Sequence, residues 1–334
     1  MKNSKILILL VFLFLLISCS KSELKKIEEE EFLFGTSIKI VVYSTDLEET
    51  RKLIKNTFKL MLEIESKYNS RNKDSVVYKL NQNPKVPQKI DSEFNYMIKK
   101  AIEASKITKG RFDITIGPVM SLWGFDELNI DRVPSEREIA EKLSLVSYKS
   151  ISLNEGYIVL DREGQKIDTG AFLKGYALYK GKEFLKKNGV KNGMITAISS
   201  IETIGAKPEG APFKIGVQNP KKSEELLYTI ELSDKALGVS GDYQTFVEIK
   251  GKKYHHIIDG TTGYPSKYNS MVLVLGANAF ECDLYSTSFF TMKAEEILEF
   301  VKDNKGLEVF IVDKDGKEYF SSGIKRYLKK IDEN

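Results

Sequence analysis

Segments with helical spacing crowd the chain before residue 190 and short alternating segments crowd it afterwards, an order that limits the fold more than any other feature. LEETRKLIKNTFKLMLEIESKY (47–68) sets Leu53, Thr57, Leu60, Ile64 and Tyr68 along one stripe, as an amphipathic helix would. FNYMIKKAIEASKITKG (94–110) predicts a second helix stopped by Gly110, and FLKGYALYKGKEFLKKNG (172–189) a third closed by Asn188-Gly189. A shorter helix is expected over 135–143, where Ser135 and Glu138 have capping-box spacing after Pro134. FDITIGPVMSLWGF between them reads as a loop. SIKIVVYS (37–44) is an early strand, with short ones expected near 151–153, 157–160 and 166–167. Then come MITAISSI, FKIGVQ, LLYTIEL, ALGVSG, TFVEIKGKKYHHII and MVLVLG, with hairpins at Lys250-Gly251 and around Lys314-Asp315-Gly316. ANAFECDLYSTSFFTM begins a late helix. Helices gathered early and strands late predict an α+β fold rather than repeated βαβ units. No Pro- or Gly-rich linker divides 32–330, so one compact unit of interleaved lobes is expected.

The N-terminus points to an address. MKNSK is basic and ILILLVFLFLLI is an uninterrupted apolar run, the pattern of a secretory signal peptide over 1–18. The run is short for a bilayer span of about 20 residues. It ends in Leu16-Ile17-Ser18-Cys19, which resembles a bacterial lipobox, so Cys19 is expected to be lipidated and to anchor the protein in a membrane, facing periplasm or exterior. Acyl chains gain about 0.8 kcal/mol per buried methylene. Residues 19–31, rich in Lys and Glu, read as a tether. Net charge falls from +4 to +2 once Lys2 and Lys5 leave, which gives no support to nucleic-acid binding. With Cys282 as the one other cysteine, no intramolecular disulfide framework is available.

The two histidines of the chain, His255 and His256, sit side by side. In a strand, adjacent side chains point to opposite faces, so the pair is a poor zinc clamp. Alternation groups His256 with Tyr254 and Ile258, and His255 with Ile257 and Asp259; either is a ready general base near neutral pH. A hard cation finds better ligands in Asp283 and Thr287, four apart on a predicted helix and therefore on one face. The loops RFDITIGP (111–118), DTGAFLKG (168–175) and GVSGDY (238–243) join glycine to a carboxylate, and Lys174 can supply a point charge to a phosphate. Each loop alone reads more readily as a structural turn than as a ligand contact. Neither GxGxxG nor GxxxxGK[ST] occurs, so a Rossmann site or a P-loop is not supported.

Taken together, several segments resemble the FAD:protein FMN transferases, the ApbE family. They are FGTSIKIVVY (34–43), the SKYNS…DSVVYKLN region (66–81), GRFDITIGPVMSLWGF (110–125), DTGAFLKGYA (168–177), VSGDYQTFVEIKGKKYHHIIDGTTGYP (239–265) and DLYST (283–287), in the family's order. The resemblance implies an ApbE-like α+β fold of antiparallel or mixed sheets flanked by helices. It implies an enzyme that binds FAD, requires Mg2+ and joins FMN to a threonine, sometimes serine, hydroxyl of a partner protein, releasing AMP. That partner is expected to be a membrane-associated electron-transfer subunit. Some similar family members act mainly as FAD pyrophosphatases, so Mg2+-dependent hydrolysis of FAD to FMN and AMP is one alternative and a non-catalytic flavin-binding lipoprotein another.

By motif, Asp283, Thr287 and the carbonyl of Ala171 match metal-binding positions, and Lys174 matches an FAD contact. His256 matches a suggested base that also lies against FAD. Ser240, Gly241 and Asp242 match a turn lining the substrate, and Phe34 falls where relatives carry a methionine beside the flavin. One segment departs from the pattern. Where the family has a Gly-Gly-Asn-like turn, this chain has Ser199, Ser200 and Ile201, whose added Cβ atoms are expected to narrow the pocket.

Overall fold

The computed structural model describes residues 23–125, 132–154 and 156–331; the expected signal peptide and Cys19 lie outside the described residues. A hairpin of β1 (Lys25–Leu33) and β2 (Thr36–Ser44) leads into α1 (Leu47–Tyr68), α2 (Val76–Gln82), β3 (Gln88–Lys89), α3 (Ser92–Ile107), α4 (Gly117–Trp123) and α5 (Glu136–Leu143). After β4 (Ile151–Asn154) and β5 (Tyr157–Leu160) come α6 (Leu173–Lys187), β6 (Gly193–Thr196), β7 (Ser200–Ile204), β8 (Phe213–Asn219), β9 (Lys222–Leu232) and β10 (Ala236–Gly241). The chain continues with β11 (Phe246–Ile249), β12 (Lys252–His255), β13 (Asn269–Gly276), α7 (Ala279–Phe290), α8 (Ala294–Asp303), β14 (Glu308–Asp313), β15 (Glu318–Phe320) and β16 (Leu328–Lys330).

Eight strands form one antiparallel sheet in the order β1-β2-β6-β7-β10-β13-β14-β15. Its central strand β13 is buried at every position, because both faces are covered. Val272 and Val274 face the large core that includes helical residues such as Ile54, Phe94, Leu178 and Phe280. Met271, Leu273 and Leu275 face the opposite way, onto Ile230 and Leu232 of the three-stranded sheet β16-β9-β8. This architecture is the expected α+β class.

Several local expectations change. From Lys25 onward the proposed tether is instead the edge strand β1, paired with β2 along its whole length. Its glutamates point mostly to solvent while Ile27 and Leu33 are buried, so an edge strand reads as a charge run. The loop expectation for FDITIGPVMSLWGF misses α4, which starts with Pro118 in its first turn and ends at the left-handed Gly124. MITAISSI is two strands, β6 and β7, joined by a tight turn. The strand expected near 166–167 is only a single bridge, Ile116 to Lys166. The buried stripe of α1 is Ile54, Thr57, Phe58, Met61, Ile64 and Tyr68, shifted by one residue from Leu53 and Leu60. The capping box of Ser135 and Glu138 and the Lys250-Gly251 hairpin stand as expected.

Two buried polar groups hold these layers in register. Lys182 of α6 donates to Glu202 of β7 at 2.9 Å, and Glu202 also accepts the Ala279 N–H that opens α7. Burial pushes the Glu202 carboxyl up to about 7 against the pull of Lys182. His255 is buried, accepts the Ile257 N–H on Nδ1 and donates from Nε2 to the Ser266 carbonyl at 2.8 Å, packed edge-on to Phe290. Burial, assisted by Lys314, lowers its pKa to about 4.

Lys182→Met should destabilise the fold by about 3–5 kcal/mol, because Glu202 is left without its cation. The loss should grow as pH rises and Glu202 is forced to ionise, and Lys182→Met/Glu202→Gln should recover most of it in urea unfolding. For His255 the native pKa lies below the unfolded value of 6.5. The stability it contributes is therefore complete above about pH 6.5 and is lost as pH falls towards 4, by up to about 3 kcal/mol. Unfolding midpoints of His255→Gln should fall less steeply than wild type across that window; equal slopes would remove this account.

Candidate active site

Helix α7 is pressed between α6 and β10 by two glycines. A Cβ on Gly175 would stand 2.3 Å from the Ala279 carbonyl oxygen, and one on Gly238 would stand 2.5 Å from the Cys282 carbonyl carbon. Only glycine permits that approach. It brings Asp283, the fifth residue of α7, against Lys174, the second of α6.

Asp283 and Thr287 line one cavity of about 520 Å3, together with Phe34, Ala171, Lys174, Ser199, Ser240 and His256. The volume lies in the range of small-molecule sites. A neighbouring cavity of about 460 Å3 shares Val239 and Gln244 with it but has no carboxylate or histidine on its walls. Gly241 and Asp242 stand outside the lining of the larger cavity, and Asp242 forms an ion pair with Lys314 at 2.6 Å. Those two expected contacts are therefore not brought to the site.

Each wall has a structural reason. Phe34 and Gly35, both with positive φ, form the β1–β2 turn, and Glu65 of α1 accepts the Phe34 N–H at 2.9 Å. The DTGAF loop is pinned by Thr169, which donates to the Tyr68 carbonyl, and by Asp168, which accepts the Gly170 N–H. Trp123 donates from Nε1 to the Gly263 carbonyl, and Gly260 donates its N–H to the Arg111 carbonyl, so the GRFDITIGP and YHHIIDGTTGYP segments are bolted together. Asp113, although on the wall, is occupied by Thr115 and the Tyr148 N–H.

Strand β12 ends at His255, and the chain then turns His256 onto the cavity wall. The His256 Nδ1 lies 3.1 Å from the Thr245 carbonyl, an acceptor, so the proton sits on Nδ1 and the Nε2 lone pair is left open. Its neighbour His255 holds the opposite tautomer. Desolvation lowers the His256 pKa, which keeps the ring neutral at neutral pH. Ser240 bonds Thr287 and Ser286 through hydroxyls at 3.2 and 3.0 Å.

Asp283 is buried, and burial raises its pKa against the opposing Lys174 ammonium 3.4 Å away. Among the described residues no group of three His, Cys, Asp or Glu side chains could hold a metal. The Asp283 carboxylate, Thr287 hydroxyl and Ala171 carbonyl are all hard oxygen donors, a set that suits Mg2+. Asn69, Ser70, Arg71, Phe112, Gln244 and Thr245 line the cavity beyond the expected site residues, and Asp168, the carboxylate of the DTGAFLKG loop, lines it too. Arg71 acts on His256 electrostatically, yet in the sequence it is one member of a polar turn.

Comparison with known proteins agrees with this geometry. The structure superposes on the ApbE protein of Thermotoga maritima with a TM-score of 0.84 at 31% identity, covering 92% of this chain and 100% of that one. It superposes on the flavin transferase ApbE of Vibrio cholerae with a TM-score of 0.82 at 26% identity, covering 91% and 100%. A Buchnera aphidicola relative named FAD:protein FMN transferase is 31% identical over 248 residues, 72% of this chain and 73% of the relative. A Vibrio cholerae protein of the same name is 27% identical over 331 residues, 97% and 99% of the two chains. The ApbE family model matches residues 34–311, and the chain belongs to the ApbE family.

Proposed function

We propose that this chain is a Mg2+-dependent FAD:protein FMN transferase, moving FMN from FAD to a threonine or serine hydroxyl of a partner flavoprotein and releasing AMP. The observation that carries this reading is the one cavity lined by His256, Lys174, Asp283 and Thr287 together, on a chain of the ApbE family. Asp283, Thr287 and the Ala171 carbonyl would hold Mg2+, which neutralises charge developing on the pyrophosphate. Lys174 would place its ammonium on the phosphates, and Phe34 and Ser240 would line the bound dinucleotide. His256, with Nδ1–H held by Thr245, takes the acceptor hydroxyl proton on Nε2. The freed oxygen bonds to the FMN phosphorus while the bond from that phosphorus to the bridging oxygen breaks, and AMP leaves with the electron pair.

The acceptor is proposed to be a membrane-associated electron-transfer subunit, with the enzyme anchored nearby through lipidated Cys19 on the periplasmic or outer side. The basis is the apolar run followed by Ser18-Cys19; among the described residues no helix is long and apolar enough to cross a membrane. Mass spectrometry of membrane-extracted protein should find Cys19 acylated and N-terminal, and an unmodified Cys19 would remove the anchor.

Incubation with FAD and Mg2+, with and without an acceptor protein, separates the chemistries. Acceptor-dependent AMP and covalent protein-bound flavin are expected; AMP with free FMN alone would mean hydrolysis, and tight FAD binding without AMP would sink both. Asp283→Ala should abolish metal-dependent turnover. His256→Ala should slow transfer by about 10²–10⁴-fold while FAD binding changes little, and unchanged transfer would strip His256 of its base role.

A further inference from the structure

The turn between β6 and β7 and the first residue of β7 place two hydroxyls, those of Ser199 and Ser200, against Lys174. Lys174 Nζ donates to Ser199 Oγ at 2.7 Å, to Ser200 Oγ and to Asp283 Oδ2 at 3.4 Å. An ammonium has three donors, and all three are thereby engaged within the protein. Ser200 is completely buried and lies 2.6 and 2.7 Å from the two Asp283 oxygens, so its hydroxyl accepts a hydrogen bond from the Lys174 ammonium and donates one to the carboxylate. Ser199 touches the network through Lys174 alone. The carboxylate that would hold a divalent cation is thus already flanked by a monovalent one, and the lysine that would meet a phosphate is already satisfied.

We propose that Ser199 and Ser200 are positioning residues that latch Lys174 onto Asp283, so that metal and dinucleotide bind cooperatively. The inference rests on the assignment of Asp283 to metal and Lys174 to phosphate made above. Phosphate oxygens draw the ammonium off the carboxylate, the freed carboxylate accepts the metal, and each ligand thereby raises affinity for the other. Such coupling is reciprocal, because both ligands bias one arrangement of the same three side chains. Gly175, whose backbone lies so close to Asp283 that a Cβ there would stand 2.8 Å from Oδ2, keeps the carboxylate in place while Lys174 moves.

The test is binding of Mn2+ to the full chain, read by electron paramagnetic resonance of the free ion, and binding of ADP in metal-free buffer. Ser199→Ala and Ser200→Ala are each expected to tighten Mn2+ binding without nucleotide by about tenfold, the scale of one charge-assisted hydrogen bond. Both should also tighten metal-free ADP binding. Ser199→Ala should have no effect on Mn2+ in a Lys174→Ala background, since it acts only through the lysine. Ser199 is partly exposed and its replacement leaves the buried hydroxyl intact, so it serves if Ser200→Ala folds poorly. Mn2+ affinity that is unchanged or weaker in Ser199→Ala overturns the latch. If wild type forms no AMP from FAD yet the serine variants tighten Mn2+ as stated, flavin transfer fails and the latch stands. If wild type transfers flavin and the variants leave Mn2+ binding unchanged, the latch alone fails.

Discussion

The site depends on how closely α7 can approach its neighbours. Nine of its twelve residues are buried, and its contacts with α6 and β10 pass over Gly175 and Gly238, where a single methyl group would collide with backbone atoms. The Glu202 carboxylate then fixes where the helix begins by accepting the Ala279 N–H. A helix held at its start and along two faces delivers Asp283 and Thr287 to the cavity in one orientation. The buried Lys182–Glu202 pair is thus more than an ornament of the core, since it ties α6, β7 and α7, and all three contribute to the Lys174, Ser200 and Asp283 cluster.

The parts of this arrangement that were legible in the sequence are those set by local periodicity. Helix α1 spans the residues its pattern marks, and β13 reads as a continuous apolar run because it is covered on both faces. β1 was not legible, since an edge strand needs few apolar residues and carries charge outward. α4 escaped because seven residues do not establish a helical period and its glycine and proline resemble a turn. Strand alternation separated the two histidines, but it did not say which ring meets the cavity. That is decided by the end of β12 and by the Thr245 and Ser266 carbonyls, which fix opposite tautomers on adjacent residues.

The site residues themselves divide in the same way. Asp283 and Thr287 were visible as a same-face pair, and the motif resemblance drew Ala171, Lys174, Phe34, Ser240 and His256 to one place, and the structure has them line one cavity. Gly241 and Asp242 continue the same motif, yet β10 carries them past the cavity and Lys314 takes the Asp242 carboxylate. Arg71 needed three-dimensional proximity to be noticed. No spacing rule connects residue 71 with residue 256.

Ser199 and Ser200 show most clearly what a linear reading lacks. Their Cβ atoms suggested a narrowed pocket, whereas their hydroxyls, which no spacing rule placed, meet a lysine 25 residues away and, through Ser200, an aspartate 83 residues away. At 3.4 Å, an ammonium and a carboxylate attract by about 5 kcal/mol at an effective dielectric of about 20, before desolvation is subtracted. A divalent cation arriving at Asp283 is attracted by the carboxylate and repelled by that ammonium, and a phosphate arriving at Lys174 meets the mirror image of the same conflict. Neither ligand alone removes it. Both together do, since phosphate and metal each replace the partner that the other displaces. The two serines hold the internal pair in place until that exchange occurs, which makes the turn between β6 and β7 part of the chemistry of the site rather than a boundary of its pocket.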